Sequence, residues 1–413
     1  MIQATSANHD HNQAIFKLSP FKKLSQQQLE LRLKIIRFCR VHVPNDQTSL
    51  FVIQGDAGTG KSVVLNSVFN EIQTAARAGN ADDSLANTRN YLIVNHSEMI
   101  KLYKEIAEQL PNVRKKDFIR PTSFINQMRK SGKRADVVLI DEAHLLLTKS
   151  DRYNRFYQAN QLEEILKRSR AVVMVFDEKQ VLKLKSYWNE SNVQAFMKRV
   201  PHEHFYLTNQ FRMRAQTDVL NWIDAFIHKK ILPFPKKQPF DFRIFADAGV
   251  LYQVIKARNS QYHLSRLIAT YDYPYTLDGS DYYIDEPNFH LRWDRSKTAE
   301  KQAWAERADT IDEVGSVYTI QGFDLNYAGV ILDPSVSYDE TSDRIVIRPE
   351  RYQDGAAFIK RNDVAHLDNV KEQIILNSIN VLMTRAVHGL YLYASDLKLR
   401  GRLVELQTKR NRT

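Results

Sequence analysis

The string Gly55-Asp56-Ala57-Gly58-Thr59-Gly60-Lys61-Ser62 constrains this chain more than any other feature. The apolar run Leu50-Phe51-Val52-Ile53 leads into it and Val63-Val64-Leu65 leads out of it. A strand, a glycine-rich turn and a helix in that order make a phosphate cradle. The glycines let consecutive backbone N–H groups converge on phosphate oxygens, and the helix start adds the positive end of its dipole. In this P-loop pattern Gly55, Asp56, Ala57, Gly58, Thr59 and Gly60 surround the phosphates. Lys61 reaches the β- and γ-phosphates, and the Ser62 hydroxyl ligates Mg²⁺. A glycine-rich turn can match the pattern by chance, but this one lies directly between a strand and a helix.

Further along, the run Val137-Val138-Leu139-Ile140 ends in Asp141-Glu142-Ala143-His144. The C-terminal end of a buried strand is where an open α/β sheet presents its ligand-binding groups. Asp141 there is expected to hold Mg²⁺ through water, and Glu142 to act as the general base on an attacking water. Two carboxylates at a strand end could instead cap the next helix. With the P-loop in the same chain, ATP hydrolysis is the stronger expectation, with ATP and Mg²⁺ as cofactors.

Other Val- and Ile-rich runs are Tyr91-Leu92-Ile93-Val94, Val172-Val173-Met174-Val175-Phe176 and Val330-Ile331-Leu332. Continuous rather than alternating hydrophobicity means strands buried on both faces. Helical patterns lie between them, such as 161–168, which places Leu162, Ile165 and Leu166 on one face. The alternation predicts a doubly wound α/β architecture with mostly parallel sheets. A length of 413 residues favours two domains. The boundary is expected near 205, giving domains 1–205 and 206–413, with an irregular insertion around 230–300 where Pro, Tyr and Asp crowd the sequence.

The composition, 43% hydrophobic and 26% charged, excludes a disordered or collagen-like chain. The 59 Lys and Arg exceed the 48 Asp and Glu, for a formal charge of +11, which favours polyanionic partners and nucleic acid first. Cys39 is the only cysteine, so no intramolecular disulfide forms. The histidines show no paired metal-ligand spacing, and His9 with His11 reads as tail chemistry. The polar N-terminus lacks the apolar core of a signal peptide and no run reaches membrane-spanning length, so a cytoplasmic protein with no membrane partner is expected.

Several further strings, in order, resemble the motifs of superfamily-1 helicases. Leu24-Ser25-Gln26-Gln27-Gln28 resembles the upstream motif that reads adenine, with Gln28 best placed. Phe176-Asp177-Glu178-Lys179-Gln180 resembles the motif whose final Gln senses the γ-phosphate, with Phe176 where Gly is usual. Leu207-Thr208-Asn209-Gln210-Phe211-Arg212 resembles the motif that opens the second RecA-like domain and supplies an arginine finger. Val317-Tyr318-Thr319-Ile320-Gln321-Gly322-Phe323-Asp324 resembles the motif that couples nucleic acid to nucleotide, with Asp324 in place of the usual Glu. Val381-Leu382-Met383-Thr384-Arg385-Ala386 resembles the last motif, with Arg385 as a second finger. The Asp-Glu-Ala-His string suggests superfamily 2, but the two-arginine final motif expected there is missing. In detail the strings look like those of the bacterial schlafen-like (group 3) DNA/RNA helicase domain family.

The resemblance implies two tandem RecA-like domains with an ATP cleft between them. Lys61, Ser62 and Asp141 stand on one side, Arg212 and Arg385 on the other, with Gly322 and Asp324 near the nucleotide. It implies a nucleic-acid-dependent ATPase, a helicase or translocase on single-stranded nucleic acid, DNA ahead of RNA. The alternative is an ATP-gated switch that binds nucleic acid or a partner protein without unwinding. Asn95-His96-Ser97 and Thr122-Ser123-Phe124 fall where that family's first domain contacts the backbone, although Ser97 and Thr122 would also serve as helix caps. Tyr271, Tyr273 and Tyr275 read either as a base-stacking ladder or as a turn packed by aromatics.

Overall fold

The structure, a computed structural model, describes residues 18–276, 278, 280–294, 304–320, 322–359, 361 and 363–412. His9, His11 and Gln321 lie outside the described residues. The chain divides into two compact units, Met1–Val181 with Lys185–Gln210, and Leu182–Leu184 with Phe211–Thr413.

The first unit is a parallel sheet with helices between its strands. Helix α1 (Gln26–His42) opens with a capping box in which Ser25 and Gln28 satisfy each other's backbone N–H groups. β1 (Ser49–Gly55) follows, then α2 (Lys61–Arg77), β2 (Asn90–Val94), α3 (Ser97–Glu108), β3 (Phe118–Ile119) and α4 (Pro121–Ser131). β4 (Ala135–Asp141), α5 (Gln161–Leu166), β5 (Ser169–Phe176), α6 (Glu190–Met197) and β6 (His202–Leu207) complete it. The sheet order is β3-β2-β4-β5-β1-β6, and every pair is parallel. The continuous apolar runs are buried on both faces, as in Leu50, Val52 and Ile53, each with no exposed surface. β5 separates the P-loop strand β1 from the acidic strand β4, so the ends of all three strands meet at one edge. Leu162, Ile165 and Leu166 are the buried face of α5.

The second unit contains α7 (Thr217–Ile227), β7 (Asp241–Ile244), α8 (Ala248–Tyr262), β8 (Ser265–Ala269), β9 (Tyr282–Glu286), β10 (Phe289–Trp293), β11 (Glu313–Gly315) and α9 (Val317–Ile320). β12 (Leu325–Leu332), the ribbon β13 (Val336–Asp339) and β14 (Arg344–Ile347), α10 (Leu367–Met383), β15 (Ala386–Ala394) and α11 (Leu397–Arg412) follow. Its sheet order is β7-β15-β12-β8-β11-β10-β9, antiparallel only between β9 and β10. Residues around 230–300, read from sequence as an irregular insertion, carry β7, α8, β8, β9 and β10 and so belong largely to this sheet. Their strands are short, and the flanking Pro and Asp hide the apolar pattern. Tyr271 and Tyr273 pack edge-on against the buried Trp293, at 5.3 and 5.8 Å between ring centroids, so this stretch is an aromatic-packed turn and not a stacking ladder.

Candidate functional site

The phosphate cradle forms at the C-terminal end of β1. A Cβ on Gly55 would stand 2.6 Å from the Leu207 carbonyl oxygen of the neighbouring strand, so only glycine fits there. Gly60, at φ 80°, turns the chain into α2 with a left-handed backbone, and a Cβ on it would collide with the Gln28 side-chain amide. Gln28 is buried, and its Nε2 donates to the Thr59 carbonyl at 3.0 Å. Gln28 thus ties the start of α1 to the cradle.

Lys61 is nearly buried. Its ammonium donates to the carbonyls of Gly55 and, at 2.9 Å, Asp56, and it pairs with Asp177 Oδ2 at 3.2 Å. Asp177 directly follows β5, as Asp141 ends β4. Burial alone would push its carboxyl up, but the Lys61 charge and the Gln180 amide, which donates at 2.7 Å, hold it below the ordinary carboxylate range. The candidate γ-phosphate sensor Gln180 is therefore held through the same carboxylate that holds Lys61.

Asp141 is fully buried. It accepts from Ser62 Oγ at 3.1 Å, from the Glu142 backbone N–H at 3.0 Å, and from the Tyr103 hydroxyl. Burial and then the neighbouring Glu142 charge push its carboxyl up to about 6. A hydroxyl and a carboxylate side by side, with excess negative charge, suit a hard cation such as Mg²⁺. Among the described residues no group of three or more His, Cys, Asp or Glu could hold a metal ion, so phosphate or water oxygens would have to complete its shell.

Glu142 turns away from the strand at φ 51°, and its Oε2 lies 3.3 Å from Nε2 of the fully buried His144. That contact fixes the direction of the carboxylate expected to act as base. Lys61, Ser62, Asp141, Glu142 and Gln180 thus converge on one sheet edge of the first unit.

In the second unit, Arg212 Nε pairs with Asp324 Oδ1 at 2.5 Å and Arg212 NH1 donates to the Thr384 carbonyl at 3.4 Å. Arg385 is 1% exposed, and its NH1 donates to the Phe323 carbonyl at 3.4 Å. β12 and β15 pair in parallel with Leu325 opposite Ala386, which brings the Gly322–Asp324 turn beside Arg385. Asp324, expected near the nucleotide, here lies against Arg212.

Ser97 and Thr122 are not helix caps. The caps of α3 and α4 are His96 and Arg120. Ser97 instead accepts from Arg120 at 2.7 Å and Thr122 from Gln161 at 3.1 Å, while Asn95 donates to the Leu145 carbonyl at 2.8 Å. Sequence reasoning assigned no role to Asp177, Tyr103 or His144. Asp177 carried a signal, since it directly follows an apolar run as Asp141 does. Tyr103 carried none, because only the packing of α3 brings it to Asp141.

Among known proteins, the profile of the family described as Schlafen group 3, DNA/RNA helicase domain matches residues 48–396. A Saccharomyces cerevisiae relative, uncharacterized protein YPL245W, is 46% identical over 426 aligned positions, covering 96% of this chain and 94% of the relative. That relative is a yeast protein, not a bacterial one. The crystal structure of Pif1 helicase from Candida albicans aligns over 94% of this chain and 100% of its own at 12% identity and a TM-score of 0.35. Domain III of the Thermotoga maritima replication initiation protein DnaA aligns over 49% of this chain and 69% of its own at 17% identity and a TM-score of 0.27. No helix among the described residues is long and apolar enough to cross a membrane.

Proposed function

Because the chain belongs to the Schlafen group 3, DNA/RNA helicase domain family, we propose that it is a nucleic-acid-dependent ATPase that translocates on single-stranded nucleic acid. One observation carries the reading: a buried lysine in a glycine cradle, a Ser62–Asp141 oxygen pair and an oriented Glu142 meet at one sheet edge. Those groups serve phosphate, a hard cation and an attacking water respectively.

In this reading Lys61 moves from the Gly55 and Asp56 carbonyls to the β- and γ-phosphates. Ser62, and Asp141 through water, would hold Mg²⁺, which would supply neutralisation of phosphate charge. Glu142 takes the proton of the attacking water, its carboxylate aimed by His144. Gln180 contacts the γ-phosphate from the turn after β5, and Gln28, once its amide leaves the Thr59 carbonyl, reads the adenine. Arg212 and Arg385 donate to the charge that develops on the transferred phosphoryl group, and Gly322 with Asp324 sets their position. The excess positive charge of the chain, +11, favours a polyanionic track.

Steady-state ATP turnover measured without nucleic acid, with single-stranded DNA, with duplex DNA and with RNA, each at two salt concentrations, tests this. Stimulation by single strands that falls steeply with salt supports translocation on phosphate contacts. Turnover indifferent to every nucleic acid leaves an ATP-gated switch as the better account.

A further inference from the structure

Directly after the acidic strand end, residues 148–158 leave the body of the first unit and return to it as a braced turn. Asp151 N–H donates to the Phe156 carbonyl at 2.7 Å and Phe156 N–H returns the bond at 2.9 Å. The buried Asp151 carboxylate accepts from the Tyr153 N–H at 3.1 Å, from Asn154 Nδ2 at 2.8 Å and from Lys185 Nζ at 3.0 Å. Phe156 has no exposed surface and joins the main apolar core. The base of the turn is therefore braced, and the side chains at its tip stand out in solvent.

That tip carries Arg152-Tyr153-Asn154-Arg155 and then Tyr157. Tyr153 is 92% exposed and Tyr157 68%, and both arginines are exposed. Two large rings held in water by a braced backbone, interleaved with guanidinium groups, form no part of the fold's own packing. Their chemistry matches single-stranded nucleic acid, whose bases stack on aromatic faces and whose phosphates pair with arginine. The segment between Glu142 and the turn is itself held in place. Leu147 N–H donates to Gln161 Oε1 at 2.8 Å, Asn95 holds the Leu145 carbonyl, and both follow Glu142 within one short segment.

We propose that residues 152–157 are a single-stranded nucleic-acid contact, with Tyr153 stacked on a base and Arg152 and Arg155 on the flanking phosphates. This rests on the reading of the chain as a nucleic-acid-dependent ATPase, and it places a strand contact in the segment that follows the hydrolytic carboxylates.

The test uses the full chain, with a dye-labelled oligothymidylate and the matching oligouridylate followed by fluorescence anisotropy at several salt concentrations. Tyr153→Ala should weaken binding about ten-fold, while Tyr153→Phe and Tyr153→Trp keep it, because any aromatic face stacks. The double variant Arg152→Ala with Arg155→Ala should reduce the slope of log affinity against log salt by about 1.4, at roughly 0.7 per phosphate contact on a single strand. ATP turnover without nucleic acid should be unchanged in all of them, while strand-stimulated turnover requires more oligonucleotide. Variants that bind and respond like wild type, when wild type is itself stimulated, overturn this contact and leave the ATPase reading standing. A wild-type chain that neither binds nor responds to either oligonucleotide overturns both.

Discussion

Lys61 Nζ, on the first turn of α2, lies 3.2 Å from Asp177 Oδ2, just past the end of β5, the strand that pairs directly with β1. The pair is almost wholly buried, with 7% and 3% of the two side chains exposed. Lys61 is thus paired within the protein, and a phosphate bound as proposed would have to draw it away.

Breaking such a pair from one side leaves an uncompensated buried charge, which costs about 3–5 kcal/mol. Asp177→Asn should therefore lower the stability of the nucleotide-free protein by that order. Phosphate would replace the missing anion, so ADP with Mg²⁺ should raise the melting temperature of the variant more than that of wild type. Thermal melts with and without nucleotide measure the difference, and equal shifts would show that Asp177 does not compete with phosphate for Lys61.

The contact between Glu142 and His144 predicts separate effects on binding and chemistry. Glu142→Gln should bind ATP and lose turnover by a factor on the order of 10²–10⁴, the usual contribution of a general base. Lys61→Ala should lose binding as well. If Glu142 is the base, His144→Ala leaves its carboxylate in place but unaimed, so kcat should fall about ten-fold with KM little changed. Steady-state kinetics beside equilibrium nucleotide binding separates the three.

Arg212 pairs with Asp324. If it acts as an arginine finger, Arg212→Ala should cost about 10³-fold or more in kcat while nucleotide affinity changes little. Lysine should not restore it, because a point charge cannot reproduce the planar guanidinium fork. Single-turnover hydrolysis of pre-bound ATP checks this, and an unimpaired Arg212→Ala chain would remove the residue from the chemistry.

Two buried carboxyls in the second unit predict a pH dependence of stability. Burial pushes Asp272, in the turn after β8, and Asp294, directly after β10, up to about 7 each. Both values lie above that of an unfolded aspartate, about 3.9, so between the two the native state keeps protons that the unfolded chain has lost. The stability they lend is whole below about pH 4, declines as pH rises towards 7 and is gone above it, by no more than about 4 kcal/mol per group. Denaturant titrations at pH 5 and pH 8 should show the protein more stable at the lower pH. Asp272→Asn should shrink that gap, and an unchanged gap would assign it to other groups.

The sequence by itself determined whatever is local or contiguous. Strands buried on both faces announce themselves as unbroken apolar runs, so β1, β2, β4, β5 and part of β12 were legible. The cradle was legible because its glycines, Lys61 and Ser62 are consecutive, and Asp141 and Glu142 because they end such a run. The motif strings pointed to the family because their order along the chain is itself information. Tertiary structure alone decided who meets whom. Lys61 and Asp177 are separated by 116 positions and Arg212 and Asp324 by 112, and each meeting depends on strand order and packing that no local pattern encodes. The same holds for Tyr103 on Asp141, which the packing of α3 delivers, and for the short strands around 230–300, whose apolar positions are too few between Pro and Asp to show a period. The Arg152–Tyr157 turn is the clearest case, since no local pattern shows that the buried Asp151 and Phe156 hold its rings out in water.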